Sequence, residues 1–201
     1  MTRIDFETSA TGALPSGVTG ALTGSGGPVA WAIVEDPTAP AGPKVLAQTS
    51  TDKTDYRFPL AIFDAPVAAD LDVAVRFKPV AGEVDRAAGI AVRLSDPNNY
   101  YVVRANALED NVVLYKTVKG VRNSLDIVGR KGGYGVNIAV PANQWHTLRV
   151  EFVGARFNVI FNGRSLFEVE DATFNAAGMV GLWTKADSVT AFNAFTYGEK
   201  K

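Results

Sequence analysis

The chain has no cysteine, a single histidine and no apolar run long enough to cross a bilayer. Without cysteine, disulfides, iron–sulfur clusters, thiolate zinc sites and cysteine nucleophiles are excluded. The lone His146 rules out a three-histidine zinc site and a two-histidine iron triad, and leaves room for one histidine-dependent base. Charge of one sign is also missing. There are 20 basic and 21 acidic residues for a net charge of −1, so the concentrated basic footprint that nucleic acid requires is absent. No segment reads as a membrane span, which needs roughly 18 or more consecutive apolar residues. The opening MTRIDFETSATG lacks the apolar centre of a secretory signal. That points to the cytoplasm or, where a leader precedes this sequence, to the periplasm or the exterior. No long amphipathic helical pattern occurs.

What is present is alternation. The 19 glycines and 10 prolines are scattered and punctuate about twelve to fourteen short strands, the pattern of an antiparallel sandwich or jelly roll. A chain of 201 residues is most simply one domain, residues 1–201, and buries roughly 70% of its unfolded surface without a metal or disulfide staple. Residues 7–28, small, polar and Gly-rich, read as an extended arm or loop. Strands follow near 29–35 and 58–63. At 71–78, Leu71, Val73, Val75 and Phe77 face one way and Asp72, Ala74, Arg76 and Lys78 the other. WHTLRVEFVG and RFNVIFNGR form a hairpin pair, with tight turns at Gly154-Ala155 and Asn162-Gly163. The tip RKGGYGVN, 130–137, is a hairpin end. It lacks the Lys-Ser/Thr ending of a phosphate-binding loop and opens no helix.

The stretch GIAVRLSDPNNYYVVRANALEDNVVLYKTVKG, from Gly89 to Gly120, carries the chemistry. In it Ile90, Val92 and Leu94 alternate with Ala91 and Arg93, and Tyr101, Val103 and Ala105 with Tyr100, Val102 and Arg104. Val112 and Leu114 alternate with Asn111, Val113 and Tyr115. One alternate set therefore places Arg93, Tyr100, Arg104, Asn106, Asn111 and Tyr115 on one sheet face, expected to point outward. Val102 and Val113 share that face, so which set is core is not fixed by alternation. Rings that stack on the C–H patches of a sugar, beside donors and acceptors for its hydroxyls, make a carbohydrate surface. Trp183, Lys185 and Asp187 add a ring and two polar groups. The same residues also serve as ordinary cross-strand pairs on an exposed sheet.

Three elements in order, NYYVVRANALEDNVVLY, WHTLRVEFVGARFNVIFNG and LFEVEDATFNAAGMVGLWTKADSVTAFNAF, resemble the concanavalin A-like lectin/glucanase superfamily. More narrowly, they resemble bacterial laminin-G-like and 3-keto-disaccharide-hydrolase-type domains related to family 16 glycoside hydrolases. The resemblance spans roughly 70–200. It implies a jelly-roll sandwich of two antiparallel sheets, one concave, with carbohydrate bound on the concave face as the default partner. It implies catalysis less directly. The three acids of a family 16 strand, spaced ExDxxE, have no counterpart. The nearest string is Glu168-Val169-Glu170-Asp171. Where related domains close with an F-D-x-F-like strand, this chain has Phe192-Asn193-Ala194-Phe195, which removes the Asp a family calcium site would use.

The alternative to a binding module is a glycoside hydrolase of that 3-keto-disaccharide type. Hydrolysis needs two carboxyl groups about 5–9 Å apart. The acids available are Glu109 and Asp110, in the turn at the rim of the face, and Glu168 and Glu170, two apart on one strand. No complete catalytic motif is present: there is no G-x-S-x-G elbow, and His146 reads as a structural histidine at a core edge. Calcium is the one cofactor with oxygen-rich candidates, at Asp96-Pro97-Asn98-Asn99 and Asp70/Asp72, but neither has the spacing of a twelve-residue calcium loop, and DPNN reads more simply as a turn. A third reading is a structural or adhesion domain that binds protein through a sheet.

Overall fold

The computed structural model describes residues 1–200, and in them every regular element is a β-strand. Eight strands form one sheet: β1 (Thr2–Ile4), β3 (Trp31–Glu35), β4 (Lys44–Gln48), β6 (Leu71–Ala81), β12 (His146–Val153), β13 (Arg156–Phe161), β14 (Arg164–Glu170) and β16 (Val189–Glu199). Eight form the other: β2 (Val18–Gly24), β5 (Arg57–Ala68), β7 (Ala87–Asp96), β8 (Asn99–Asn106), β9 (Asn111–Val118), β10 (Val121–Ser124), β11 (Val136–Asn137) and β15 (Gly178–Trp183). The first runs β14-β13-β12-β6-β16-β4-β3 with β1 on β16. The second runs β10-β9-β8-β7-β15-β5-β2 with β11 on β9. All strand pairs are antiparallel, and the late strands β15 and β16 insert between early ones, the crossing pattern of a jelly roll.

Alternation dictates the core between the sheets. Leu71, Val73, Val75 and Phe77 of β6 and Leu148, Val150 and Phe152 of β12 meet Ile90, Val92, Tyr101, Val103, Val112 and Leu114 of the second sheet. Aromatic pairs span the gap: Phe63 stacks on Phe195 at 4.6 Å, and Tyr101 meets Phe157 at 4.7 Å. The predicted hairpin at 146–161 is present with its turn at Gly154.

Two expectations are corrected. Sixteen strands replace the twelve to fourteen read from turn spacing, because β1, β10 and β11 are only two to four residues long and too short to show a period. The arm at 7–28 is not loop throughout. Its residues Val18–Gly24 add to β5 as an edge strand, held by backbone bonds that Gly and Thr make as well as any residue.

The second sheet curls until its two ends touch. Tyr56, immediately before β5, donates its hydroxyl to the Gly120 carbonyl at 3.0 Å and accepts the Arg122 N–H at 2.9 Å. Thr23 of β2 reaches the Tyr100 hydroxyl of β8 at 2.9 Å. The concave face is thereby turned into a second, smaller core of Phe58, Leu60, Ile62, Ala91, Tyr100, Val102, Val113, Tyr115 and Trp183. Gly89 permits the closure: a Cβ there would sit 3.1 Å from the Trp183 ring and 2.9 Å from the Val103 carbonyl.

Candidate functional site

The face expected to point outward is buried. Tyr100 and Trp183 are fully enclosed, as are Arg104 and, within a few per cent, Arg93, Asn106, Asn111, Tyr115 and Asp187. Tyr100 and Trp183 belong to the second core: the indole N–H donates to the Tyr100 hydroxyl at 3.3 Å and the ring stacks on Phe58 at 5.3 Å. Burial pushes the Tyr100 phenol up, as expected of a hydroxyl with no water around it.

Arg93 is not on this face at all. A register shift after Val92 and a left-handed backbone (φ 47°) turn it out of alternation, toward the end of the sandwich. Its guanidinium donates to the carbonyls of Ala69, Phe174 and Gly154 and to Asp70, and lies over the Phe152 and Phe157 rings. Asp187 is equally committed, accepting the backbone N–H groups of Glu83, Val84 and Asp85. Burial pushes its carboxyl up, but those three donors outweigh it and hold the group below the usual range. Asn106 clamps its own turn through the N–H groups of Leu108 and Glu109 and donates to Asp85.

The remaining candidates do converge, at the mouth of the curl. Arg104 on β8 donates through Nη2 to Glu109 Oε2 at 3.1 Å and to the Asn111 side-chain oxygen. Asn111 donates back to the same Glu109 oxygen at 3.0 Å. Arg104 Nε and Nη1 are buried and have no partner. The guanidinium lies 5.5 Å from the Tyr115 ring and 5.6 Å from the Tyr134 ring, and the two tyrosine hydroxyls touch each other. Burial pushes the Tyr115 phenol up. Burial also pushes the Glu109 carboxyl up, but Arg104 and the hydrogen bonds from Arg104 and Asn111 outweigh it, so Glu109 is an anion well below neutral pH. Its side chain is 42% exposed.

Lys185 stands beside this group, between Asp55 at 2.6 Å and Asp85 at 3.0 Å. Burial lowers its ammonium, and the two carboxylates more than restore it. Asp85 is pushed up by burial despite Lys185 and Arg104. Both of its oxygens are taken, Oδ1 by Asn106 and Oδ2 by Lys185.

Next to the cluster lies a hollow of about 380 Å³ lined by Arg130–Gly135 and Asn137, in the size range of small-ligand pockets. Asn137 pairs with Asn111, which ties the hollow to the Arg104 group. Tyr134 is its ring, 42% exposed. Gly135 sets that position: with φ 58°, a Cβ would fall 2.1 Å from the Val112 carbonyl, so only glycine brings the loop down onto β9. Tyr134 was missed in the sequence, where RKGGYGVN reads as a plain hairpin end. The signal was one tyrosine and two cations among three glycines. A larger open hollow of about 510 Å³ on the far side of the loop, from Asp126 to Lys131 with Glu170, has no aromatic ring.

The candidate acids fall in separate places, and each is engaged by other groups. Asp110 accepts the Val140 N–H at 2.8 Å and fixes a turn. Glu168 and Glu170 lie on β14 of the other sheet and both pair with Arg156. Asp171 binds the Tyr101 hydroxyl and Lys116. His146 is buried: Nε2 meets the Pro141 carbonyl and Nδ1 the Asn162 amide, with the ring stacked on Phe161. The calcium candidates are engaged within the protein: Asp96 caps its turn through Asn98 and Asn99, Asp70 holds Arg93 and the Gly154 N–H, and Asp72 takes Arg149 in a two-pronged bridge. Among the described residues, no three acidic or histidine side chains are placed to hold a metal ion together.

No protein-family model and no curated protein matches the sequence. Solved structures do match the fold. The carbohydrate-binding module CBM66 from Bacillus subtilis superposes with a TM-score of 0.69 at 19% identity, over 92% of this chain and 96% of that one. Domain 4 of AbnA, a GH43 extracellular arabinanase from Geobacillus stearothermophilus solved with arabinotriose, gives 0.60 at 14% identity over 98% and 90%. The cellulose induced protein Cip1 gives 0.63 at 12% identity over 100% and 98%. These neighbours share the antiparallel jelly-roll sandwich described above.

Proposed function

We propose that this chain is a carbohydrate-binding domain and that the sugar is held at the mouth of the curled sheet, by Arg104, Glu109, Asn111 and Tyr134. The observation that carries the reading is Arg104. A guanidinium buried with two of its nitrogens unpartnered leaves N–H donors that cost stability until something accepts from them. Glu109 beside it is an acceptor already charged. A donor and an acceptor side by side match a vicinal diol, one hydroxyl donating to the part-exposed Glu109 and its neighbour accepting from the enclosed Arg104 once the covering Tyr134 moves aside. The exposed Tyr134 ring supplies an apolar plate next to the hollow. The carbohydrate named for CBM66 and the arabinotriose named for the AbnA domain support the ligand class.

Binding is favoured over cleavage by a 3-keto-disaccharide-type hydrolase. At this mouth Glu109 is committed to Arg104 and Asn111, and Asp85, the one carboxyl there held above its ordinary range, has both oxygens engaged. Calorimetry against arabinotriose, xylotriose, cellotriose and other neutral trisaccharides tests the reading. At least one should bind, and Glu109→Ala or Arg104→Met should weaken it tenfold or more (about 1.4 kcal/mol) in protein that still melts cooperatively. Binding that neither substitution alters would refute it.

A further inference from the structure

The mouth does not account for the most unusual side chain in the second core. Arg122, from the edge strand β10, projects across the concave face into a box of three rings. Its guanidinium lies 4.2 Å from the Tyr115 centroid, 4.7 Å from Phe58 and 5.5 Å from Trp183. No carboxylate among the described residues is within salt-bridge distance of it, and its Nη1 is buried without a partner. Arg122 is half-buried and the Asp55 carboxylate lies near enough to feel its charge, but its Nη1 is enclosed, and a gap that only needed filling would be filled at less cost by an apolar side chain. The rings compensate through cation–π attraction, which is the way such boxes hold cationic ligands.

The segment that carries Arg122 is weakly held. β10 has four residues, pairs on one side only, with β9, and leaves Val121, Asn123 and Ser124 exposed. Besides β9, its tethers are the pair of hydrogen bonds made by the half-exposed Tyr56 hydroxyl and two on the preceding turn, Gly120 N–H to the Asn98 carbonyl and Lys119 N–H to the Asn99 side-chain oxygen, both at 2.9 Å. Tyr115 is shared, with Arg122 reaching its ring from the β10 side and Arg104 from the mouth. A ligand seated at Arg104 therefore has the box as its next neighbour.

We propose that the Phe58–Tyr115–Trp183 box is a second sugar-ring subsite, that Arg122 occupies it in the free protein, and that an oligosaccharide reaching inward from Arg104 displaces Arg122 and the 119–122 turn. The proposal rests on the carbohydrate reading of the mouth. It assigns the buried rings a role in binding that becomes available only when the edge hairpin moves.

The test uses two proteins, the wild type and Arg122→Ala, and the trisaccharides arabinotriose, xylotriose and cellotriose. If Arg122 closes the box in about nine molecules of ten, its removal tightens binding about tenfold, since apparent affinity scales with the open fraction. In the wild type, the Trp183 indole N–H resonance, assigned by Trp183→Phe, should shift on saturation. Unchanged affinity in Arg122→Ala together with an unmoved Trp183 signal in a wild type that does bind overturns the subsite and leaves the mouth intact. Absence of binding by both proteins overturns both readings. Should Arg122→Ala fail to fold, the Trp183 titration in the wild type decides alone.

Discussion

Replacing Asp187 by Asn should destabilise the fold and leave sugar binding alone. The carboxylate accepts from Glu83 N at 2.7 Å, Asp85 N at 3.0 Å and Val84 N at 3.1 Å, gathering three consecutive backbone donors of the β6–β7 connection. Asparagine keeps one oxygen and turns an amide N–H₂ toward the other donors. A hydrogen bond to a charged group contributes about 1.5–3 kcal/mol, and a donor left unpaired costs about 1–3 kcal/mol where buried, less at the wetter Glu83 and Val84. Losing the charge and one acceptor should therefore cost about 3 kcal/mol, which lowers Tm by about 6–12 °C in a chain of this size.

Urea unfolding at several pH values reads this directly. The Asp187 carboxyl lies below its ordinary 3.8 in the folded chain. Its contribution is thus complete above the unfolded pKa and is lost as pH falls through the folded one. The gap between wild type and Asp187→Asn should be constant above about pH 5 and narrow below about pH 4. A gap under about 1 kcal/mol at neutral pH, or one that widens on acidification, would refute the clamp.

Three other perturbations test separate parts of the account. Asp171, which burial raises but Lys116, Thr173 and Tyr101 bring down to about 2, should titrate near that value by carbon NMR. The stability it adds should be complete above about pH 5, decline from about pH 4 and be gone below about pH 2, as a depressed carboxyl requires. Gly89→Ala places a methyl against the Trp183 ring and the Val103 carbonyl, and should cost about 2 kcal/mol in urea unfolding; a neutral substitution would mean the curl is looser than described. Tyr134→Ala should weaken trisaccharide binding about tenfold in calorimetry while shifting Tm by little, because the ring is an exposed anchor and not core.

Strand identity was legible because one face of each strand is buried against the opposite sheet. The alternation of Leu71, Val73, Val75 and Phe77 leaves no other reading. The outward face was misread because alternation places residues on two faces without saying that both are covered. Val102 and Val113 were the warning: two valines on the supposed polar face belong to a second core. What covers that face is a long-range closure, Tyr56 on Gly120 and Arg122 on Phe58, between segments some 64 residues apart. No local pattern encodes it. Arg93 was misplaced for a different reason, a bulge that shifts the register once and turns the side chain to the sandwich end. Arg104, Asn111 and Tyr115 lie together as alternation placed them, since strand pairing sets Arg104 opposite Val113 and Val102 opposite Tyr115; Glu109, read as a rim acid, joins them through Arg104 and Asn111. Tyr134 and Arg122 escaped because a Gly-rich tip and a four-residue edge strand carry no periodicity.

The central claim is that the mouth at Arg104 is where sugar binds, and chemical-shift mapping tests it most directly. Isotope-labelled protein titrated with the trisaccharide that binds in calorimetry should show its largest changes at the Arg104 Nε–H, at the Glu109 to Asn111 amides and around Tyr134. Changes confined to the outer face of the β14-β13-β12 side of the other sheet, with the Arg104 resonances unmoved at saturation, would contradict it.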